Sequence, residues 1–119
     1  PNAVGMYQGG ARCLELRGGT FQPEHVGTSD MMVHFDRGNI SGDFIFPELE
    51  MSTQGRLAPD GRGFAGELTS IRSGDTEKEI NASKLQGDFF GGKADAVCGS
   101  FGADTETQRF LGIFGAHRK

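Results

Sequence analysis

Apolar and polar residues alternate with a period of two along most of the chain, which is the pattern of half-buried β-strands. In the clearest case, Met31, Val33 and Phe35 fall on one face of a first strand. The turn-like step Arg37-Gly38-Asn39 follows, and a second strand places its larger residues on one face: Ile40, Gly42, Phe44 and Phe46. The pattern predicts a β-hairpin that ends at Pro47, because proline is confined to strand ends and edges.

A short Gly-x-Phe step recurs along the chain. It occurs at Gly19-Thr20-Phe21, Gly42-Asp43-Phe44, Gly87-Asp88-Phe89, Gly99-Ser100-Phe101 and Gly112-Ile113-Phe114. Residues two apart on a strand share a face, so each glycine lies beside its phenylalanine and leaves room for a neighbouring ring. Small and large residues that alternate in this way are typical of the inside of a closed, strongly bent β-barrel.

Further alternating segments predict the remaining strands. Their expected inward residues are Leu14 and Leu16; Phe64, Gly66 and Leu68; Val97, Gly99 and Phe101; and Phe110, Gly112, Phe114 and Ala116. The parity shifts between residues 79 and 90, which predicts a bulge near Ser83–Leu85. With about eight short strands and no helix, the sequence predicts an all-β fold, an antiparallel barrel of about eight strands with a filled interior.

Composition narrows the class of protein. The length of 119 residues fits one domain, residues 1–119, although the pattern leaves the packing of the N-terminal segment 1–30 open. A net charge of −4 and the lack of a basic stripe argue against nucleic acid as a partner. A membrane-spanning barrel is disfavoured, since Trp is absent, Tyr occurs once and the repeated phenylalanines are expected to face inward.

The two cysteines, Cys13 and Cys98, are far apart in the sequence. Strand parity places both on the outer face, because Leu14, Leu16, Val97 and Gly99 are expected to point inward. Two outward cysteines can pair if their strands are neighbours or if the N-terminal segment crosses the surface. The sequence thus favours a disulfide in an exported protein, and two unrelated reduced thiols are the alternative.

The order of motifs in the second half resembles a known family. The segments are Gly87-Asp88-Phe89-Phe90-Gly91, Lys93-Ala94-Asp95-Ala96-Val97, Gly99-Ser100-Phe101 and Gly112-Ile113-Phe114-Gly115-Ala116-His117-Arg118. They are similar to the barrel domain of transferrin-binding-protein-B-like proteins. The hairpin from His34-Phe35-Asp36 to Ile40-Ser41-Gly42-Asp43-Phe44 and the segment Gly63-Phe64-Ala65-Gly66 also resemble that family, so the resemblance covers about residues 31–118. The chain departs from the family pattern at Phe90 for Tyr, Gly92 for Pro, Cys98 for Gly and His117 for Lys.

This resemblance implies an eight-stranded barrel in a bacterial protein that is exported, periplasmic, secreted or attached to the outer surface, often as a lipoprotein. Relatives capture proteins or haem. The resemblance therefore predicts a binding module that engages a protein partner of unknown identity. Two alternatives stay open: a carrier of haem or a lipid, and a structural barrel that supports a further domain.

Catalytic and metal-binding patterns are missing from the sequence. His25, His34 and His117 have no metal-ligand spacing, and no Cys-x-x-Cys or EF-hand pattern occurs. Serines lack a nucleophile-elbow context, and the glycine pairs lack the P-loop lysine. We therefore expect no enzyme, no metal site and no resident cofactor.

Outward apolar residues are the remaining clue to a site. By parity Ile45, Phe90 and Ile113 point away from the interior, and a cluster of them would form a partner-binding patch. The alternatives are single scattered side chains or residues covered by the N-terminal segment. Residues 22–30 and 72–79 are the loops expected to contribute contacts.

Overall fold

The structure is a computed structural model that describes residues 4–119. The described residues form ten strands and no helix. The strands are β1 (Val4–Arg17), β2 (Thr20–Phe21), β3 (His25–His34), β4 (Asn39–Phe46), β5 (Leu49–Leu57), β6 (Gly63–Ser73), β7 (Thr76–Lys78), β8 (Ala82–Phe90), β9 (Ala96–Asp104) and β10 (Gln108–Arg118).

Eight of these strands close into an antiparallel barrel. They follow the order β10-β9-β8-β6-β5-β4-β3-β1, and pairing of β1 with β10 closes the circle. The two short strands are additions, with β2 paired to β1 and β7 paired to β6. The predicted fold class is therefore confirmed. No helix among residues 4–119 is long and apolar enough to cross a membrane.

The predicted hairpin of residues 31–46 is confirmed as β3 and β4, with Val33 opposite Ile40. The strand β4 ends at Phe46, directly before Pro47. The N-terminal segment is part of the barrel wall, because β1 pairs with β10 on one side and β3 on the other. This strand is the longest in the barrel, with 14 residues.

Glycines on one strand leave space for phenylalanine rings on the next. Gly112 lies opposite Phe101, and Gly99 lies opposite Phe114, so two neighbouring Gly-x-Phe steps exchange their rings. A Cβ built on Gly99 would lie 2.6 Å from Cζ of Phe114, and one on Gly112 would overlap the Phe101 ring. Such separations are far below van der Waals contact, so a side chain at these glycines would displace the rings.

The rings that the glycines accommodate fill the inside of the barrel. Phe44 stacks on Phe101 with a centroid separation of 4.3 Å, and it packs against Phe114 at 4.9 Å. Phe64 and Phe89 continue the cluster at 5.7 Å. Four Gly-x-Phe steps thus belong to the interior as predicted, whereas the fifth ends in Phe21, which is 68% exposed on β2.

The structure corrects the predicted orientation of β1. Leu14 is exposed and Leu16 is half-buried, whereas Ala11, Cys13 and Glu15 are buried inside the barrel. The prediction assumed that the leucines of this strand belong to the core. Small residues such as Ala11 and Cys13 face inward in place of the leucines, because β1 closes the barrel directly against the large rings of β10 and its neighbours, with Ala11 opposite Phe114.

The bulge predicted near Ser83–Leu85 is absent from the pairing of β8 with β9, although the pairing of β8 with β6 is interrupted there. The strand β8 keeps a regular register with β9 from Ala82 to Phe90, and the irregularity lies between β5 and β6 at Ser52/Thr53. The pairing of β8 with β6 stops at Leu85, opposite Gly66. Beyond that point the Ser83 hydroxyl accepts a hydrogen bond from the Leu68 N–H at 3.0 Å and donates one to the Leu68 carbonyl at 3.3 Å.

We expect Gly112→Ala to lower the free energy of unfolding by about 1–3 kcal/mol, the usual cost of overpacking a core. Gly10→Ala is the matched control on β1, because its Cβ would meet nothing closer than 3.8 Å. The control is expected to stay unchanged or to gain up to about 1 kcal/mol. Urea denaturation followed by circular dichroism measures both. Equal losses in the two variants would contradict the role given to the ring contacts.

Candidate functional site

Exposed apolar side chains form a continuous band on the outer wall of β10, β1, β3 and β4. On β10 and β1, Leu111 lies opposite Leu14. On β3 and β4, Val26 lies diagonal to Ile45, since Ile45 is opposite Thr28. We call this surface the apolar band; its members and exposed fractions are Leu14 44%, Val26 51%, Ile45 41%, Leu111 55% and Ile113 61%.

Arg12 lies at the centre of the apolar band. It is exposed on β1, directly opposite Ile113 on one side and Val26 on the other. A shallow groove of about 270 Å³ runs beside it, with Leu14, Leu111, Ile113 and Glu24 among its lining residues. The band thus combines aliphatic side chains with one central guanidinium.

A buried polar cluster on the inner side of β1 fixes which residues of that strand face outward. The Glu15 side chain is 4% exposed and receives hydrogen bonds from Arg17 at 2.6 Å and Gln108 at 2.7 Å. The His25 ring nitrogen Nε2 lies 2.9 Å from the other carboxylate oxygen. Because residues alternate along a strand, inward Glu15 requires outward Leu14.

The hydrogen bonds keep the Glu15 carboxylate charged despite its burial. Burial alone raises the pKa of this carboxyl, but hydrogen bonds from Gln108, His25 and Arg17 outweigh it and leave the pKa below its usual value. The described residues contain no buried side-chain nitrogen or oxygen without a partner. The cluster is therefore a satisfied polar plug at one end of the barrel.

The cysteines do not form the predicted disulfide. Both are free thiols; Cys13 is 1% exposed inside the barrel, whereas Cys98 is exposed on the outer face of β9 as expected. Their strands are separated by β10, and their side chains point to opposite faces of the wall. The error follows from the reversed parity of β1. Burial and the neighbouring Glu15 carboxylate raise the pKa of the Cys13 thiol to about 12.

The three outward apolar residues chosen from the sequence are all exposed, and the structure groups two of them. Ile45 and Ile113 lie at the two sides of the apolar band. Phe90, 52% exposed, lies at the end of β8, opposite Ala96. It is separated from Ile113 by polar and glycine positions of β9 and β10, so it stands alone.

The two segments expected to be loops differ in character. Residues 22–30 are mostly the start of β3, so they contribute to the wall of the barrel. Residues 72–79 form a tight β6–β7 hairpin around Gly74. Among the residues that the structure describes, no group of three or more His, Cys, Asp or Glu side chains is arranged to hold a metal ion.

Sequence reasoning missed Arg12 and Leu14 because it placed the leucines of β1, and with them the same face of that strand, in the core. Val26 lies in a segment that was expected to be a loop, and Leu111, which is outward by the predicted parity of β10, was not selected. The available signal was the run Gly9-Gly10-Ala11, with small Cys13 two residues later. Gly9 needs its bare backbone, since a Cβ there would overlap the Gly115 carbonyl. Small residues at 9, 11 and 13 therefore mark the inner face of β1, and Leu14 belongs to the outer one.

A family comparison now agrees with this geometry. The sequence model of the C-lobe and N-lobe β-barrels of transferrin-binding protein B matches residues 5–118. The chain belongs to this family. The resemblance seen in the motifs of residues 31–118 is confirmed, and the match also includes the first strand, which the motifs did not reach.

Solved structures of transferrin-binding-protein-B-like proteins share the fold at low sequence identity. The protein from serogroup B Neisseria meningitidis is 19% identical, with a TM-score of 0.68 over 99% of this chain and 26% of that one. A point mutant from Haemophilus parasuis is 16% identical, with a TM-score of 0.68 over 97% and 26%. The chain thus spans about a quarter of these two proteins.

A lactoferrin-binding relative has the same fold. The N-lobe domain of lactoferrin-binding protein B from Moraxella bovis is 13% identical, with a TM-score of 0.61 over 100% of this chain and 60% of that one. No curated protein matches the chain.

We expect one thiol to react in the native protein. Cys98 should react with a thiol reagent such as DTNB at neutral pH, whereas Cys13 should react only after denaturation, because it is buried and its pKa is about 12. The released chromophore counts the reacted thiols. The Cys98→Ser variant is the control and should release none before denaturation. If the native protein has no reactive thiol and gains two on reduction, the two cysteines form the disulfide that the sequence predicted.

We expect the buried carboxylate to make the protein acid-sensitive. Since the folded-state pKa of Glu15 is lowered, its stabilisation is present above the ordinary value of 4.5 and is lost as the pH falls through the folded-state value. Glu15→Gln should unfold more easily at pH 7, by about 1–3 kcal/mol. It should also lose less stability between neutral and acidic pH. Urea midpoints over this range test the prediction, and parallel pH profiles in both proteins would refute it.

Proposed function

We propose that this barrel is a binding module of an exported bacterial protein and that it engages a protein partner through the apolar band. The observation that carries the proposal is the continuity of the band across four neighbouring strands. Exposed aliphatic residues on soluble proteins are usually scattered, and contiguous groups mark interaction surfaces. Five large side chains, each 41–61% exposed, form one such group here.

The choice of a protein as partner rests on the shape of the surface. The outer wall of the barrel is broad, and its groove beside Arg12 is shallow, at about 270 Å³. Small-molecule sites are concave and bury most of their ligand, whereas protein interfaces cover wide, flat surfaces with an apolar centre. The apolar band therefore fits a protein better than a small ligand.

The proposed location follows from the relatives. They are named for binding transferrin and lactoferrin, and binders of such external proteins have to leave the cytoplasm. We extend to this chain an exported location, at the outer surface, in the periplasm or secreted. The chain spans about a quarter of two of these relatives, and transferrin and lactoferrin are therefore tested as partners beside other proteins.

Two alternative functions carry different weight. A haem or lipid carrier needs an internal cavity, but the barrel interior holds packed rings, with Phe44 stacked on Phe101 at 4.3 Å. A supporting barrel is favoured by one observation, the partial coverage of the larger relatives. In that case another part of the same protein would cover the apolar band.

We expect the double substitution Leu111→Asp/Ile113→Asp to weaken partner binding by about 100-fold or more, because it places two charges inside an apolar interface. Phe90→Asp is the matched control, since Phe90 is equally exposed but lies three strands away from β1. Surface plasmon resonance would use purified transferrin, lactoferrin and proteins captured from extracellular fluids of the native habitat.

The circular dichroism spectrum and the urea midpoint of each variant establish that the barrel still folds. A partner whose binding is lost in the double variant and kept in Phe90→Asp supports the proposal. Binding that is unchanged in the double variant, or that is lost in Phe90→Asp, would show that the partner binds outside the apolar band. A longer version of the protein in which the band is protected from hydrogen exchange without a partner would favour the supporting role.

A further inference from the structure

The Arg12 guanidinium forms no ion pair with an acidic side chain among the described residues, although Glu24 lines the same groove. None of the four ion pairs among the described residues includes it. Its directly opposed neighbours, Ile113 and Val26, are aliphatic and offer no hydrogen-bond acceptor. An arginine held among aliphatic side chains retains its full capacity for a bidentate pair with a carboxylate.

On one side of Arg12, the surface of β1 and β10 carries no side chains at two paired positions. Gly10 is two residues along β1, and its partner across the strand pair is Gly115 on β10. Neither glycine is required by the fold, because an added Cβ would meet nothing closer than 3.8 Å at Gly10 and 3.7 Å at Gly115, and neither has a positive φ. Glycine in a strand costs about 0.5–1 kcal/mol relative to alanine, so local stability does not account for the pair.

The other side of Arg12 carries a negative charge. Glu24 lines the groove together with Leu14, and it too makes no ion pair among the described residues. A carboxylate that approached from this side would be repelled. The approach over Gly10 and Gly115 meets no side chain on β1 or β10 at these positions, and the residue opposite Gly10 on β3 is the uncharged Thr28, so an acidic group can reach the guanidinium from there without repulsion.

We propose that the partner presents an aspartate or glutamate, flanked by aliphatic or aromatic side chains, that pairs with Arg12 over the Gly10–Gly115 strip. This inference rests on the proposed function, since it specifies the chemistry of the partner at the apolar band. Charge complementarity selects the carboxylate, and the surrounding band selects its apolar neighbours. Arginine within an apolar setting is also a frequent centre of binding energy in protein interfaces.

The test uses a displayed library of random peptides, selected for binding to the intact wild-type barrel. Enriched peptides should carry Asp or Glu next to Leu, Ile, Val or Phe. Their affinity should fall about tenfold or more for Arg12→Gln, and by less for Arg12→Lys, which keeps the charge without the planar fork. Gly10→Val should also weaken binding, because it covers the strip without changing the charge. Phe90→Asp should bind as wild type.

The outcomes separate this inference from the proposed function. If the peptides lose binding to Leu111→Asp/Ile113→Asp but bind Arg12→Gln as well as wild type, the apolar band remains the partner face and the proposed pairing of an acidic group with Arg12 is refuted. Binding unaffected by either change would remove the partner face as well. Enriched peptides without a carboxylate, or a selection that yields no binder to the wild-type barrel, would also overturn the inference.

Discussion

The contact between a glycine on one strand and a phenylalanine ring on the next is the constraint on which this barrel depends. An eight-stranded barrel is narrow, and full side chains at every inward position would overfill it. Gly112 and Gly99 each accept the ring of the neighbouring strand, so Phe101 and Phe114 reach the axis and stack around Phe44. The sheet can then close without a cavity at these rings, which is the reason for proposing the outer surface, and not the interior, as the binding site.

The same closure determines the outer surface through β1. This strand completes the barrel by pairing with β10 and β3, and its inner face carries Tyr7, the small residues Ala11 and Cys13, and the Glu15 cluster. The buried Glu15 carboxylate, which is bound by Arg17, Gln108 and His25, keeps the strand in one orientation, because a shift by one residue would expose this carboxylate and bury Leu14. Leu14 and Arg12 therefore face outward because the alternate residues of β1, including Cys13 and Glu15, face the interior.

Sequence patterns predicted the barrel, the β3–β4 hairpin and the inward phenylalanines, because alternation and the Gly-x-Phe step reflect the pleat and the barrel axis directly. They failed at β1, where hydrophobicity pointed to Leu14 and Leu16 although Ala11, Cys13 and a fully paired Glu15 occupy the interior at that end of the strand. The predicted disulfide failed with it. The site was predicted only in part, because Ile45 and Ile113 belong to one band only through the order of the strands round the barrel, which the sequence pattern does not show.

The orientation of β1 supports both the packed interior and the proposed partner face, so its direct test is the most informative measurement. In a Cys98→Ala background, Leu14→Cys introduces a second thiol next to Cys13 on the same strand. The account predicts that a maleimide labels the introduced thiol rapidly in the native protein and leaves Cys13 unlabelled, as read by mass spectrometry after proteolysis. Rapid labelling of Cys13 with protection of the introduced thiol would show that the strand faces the other way.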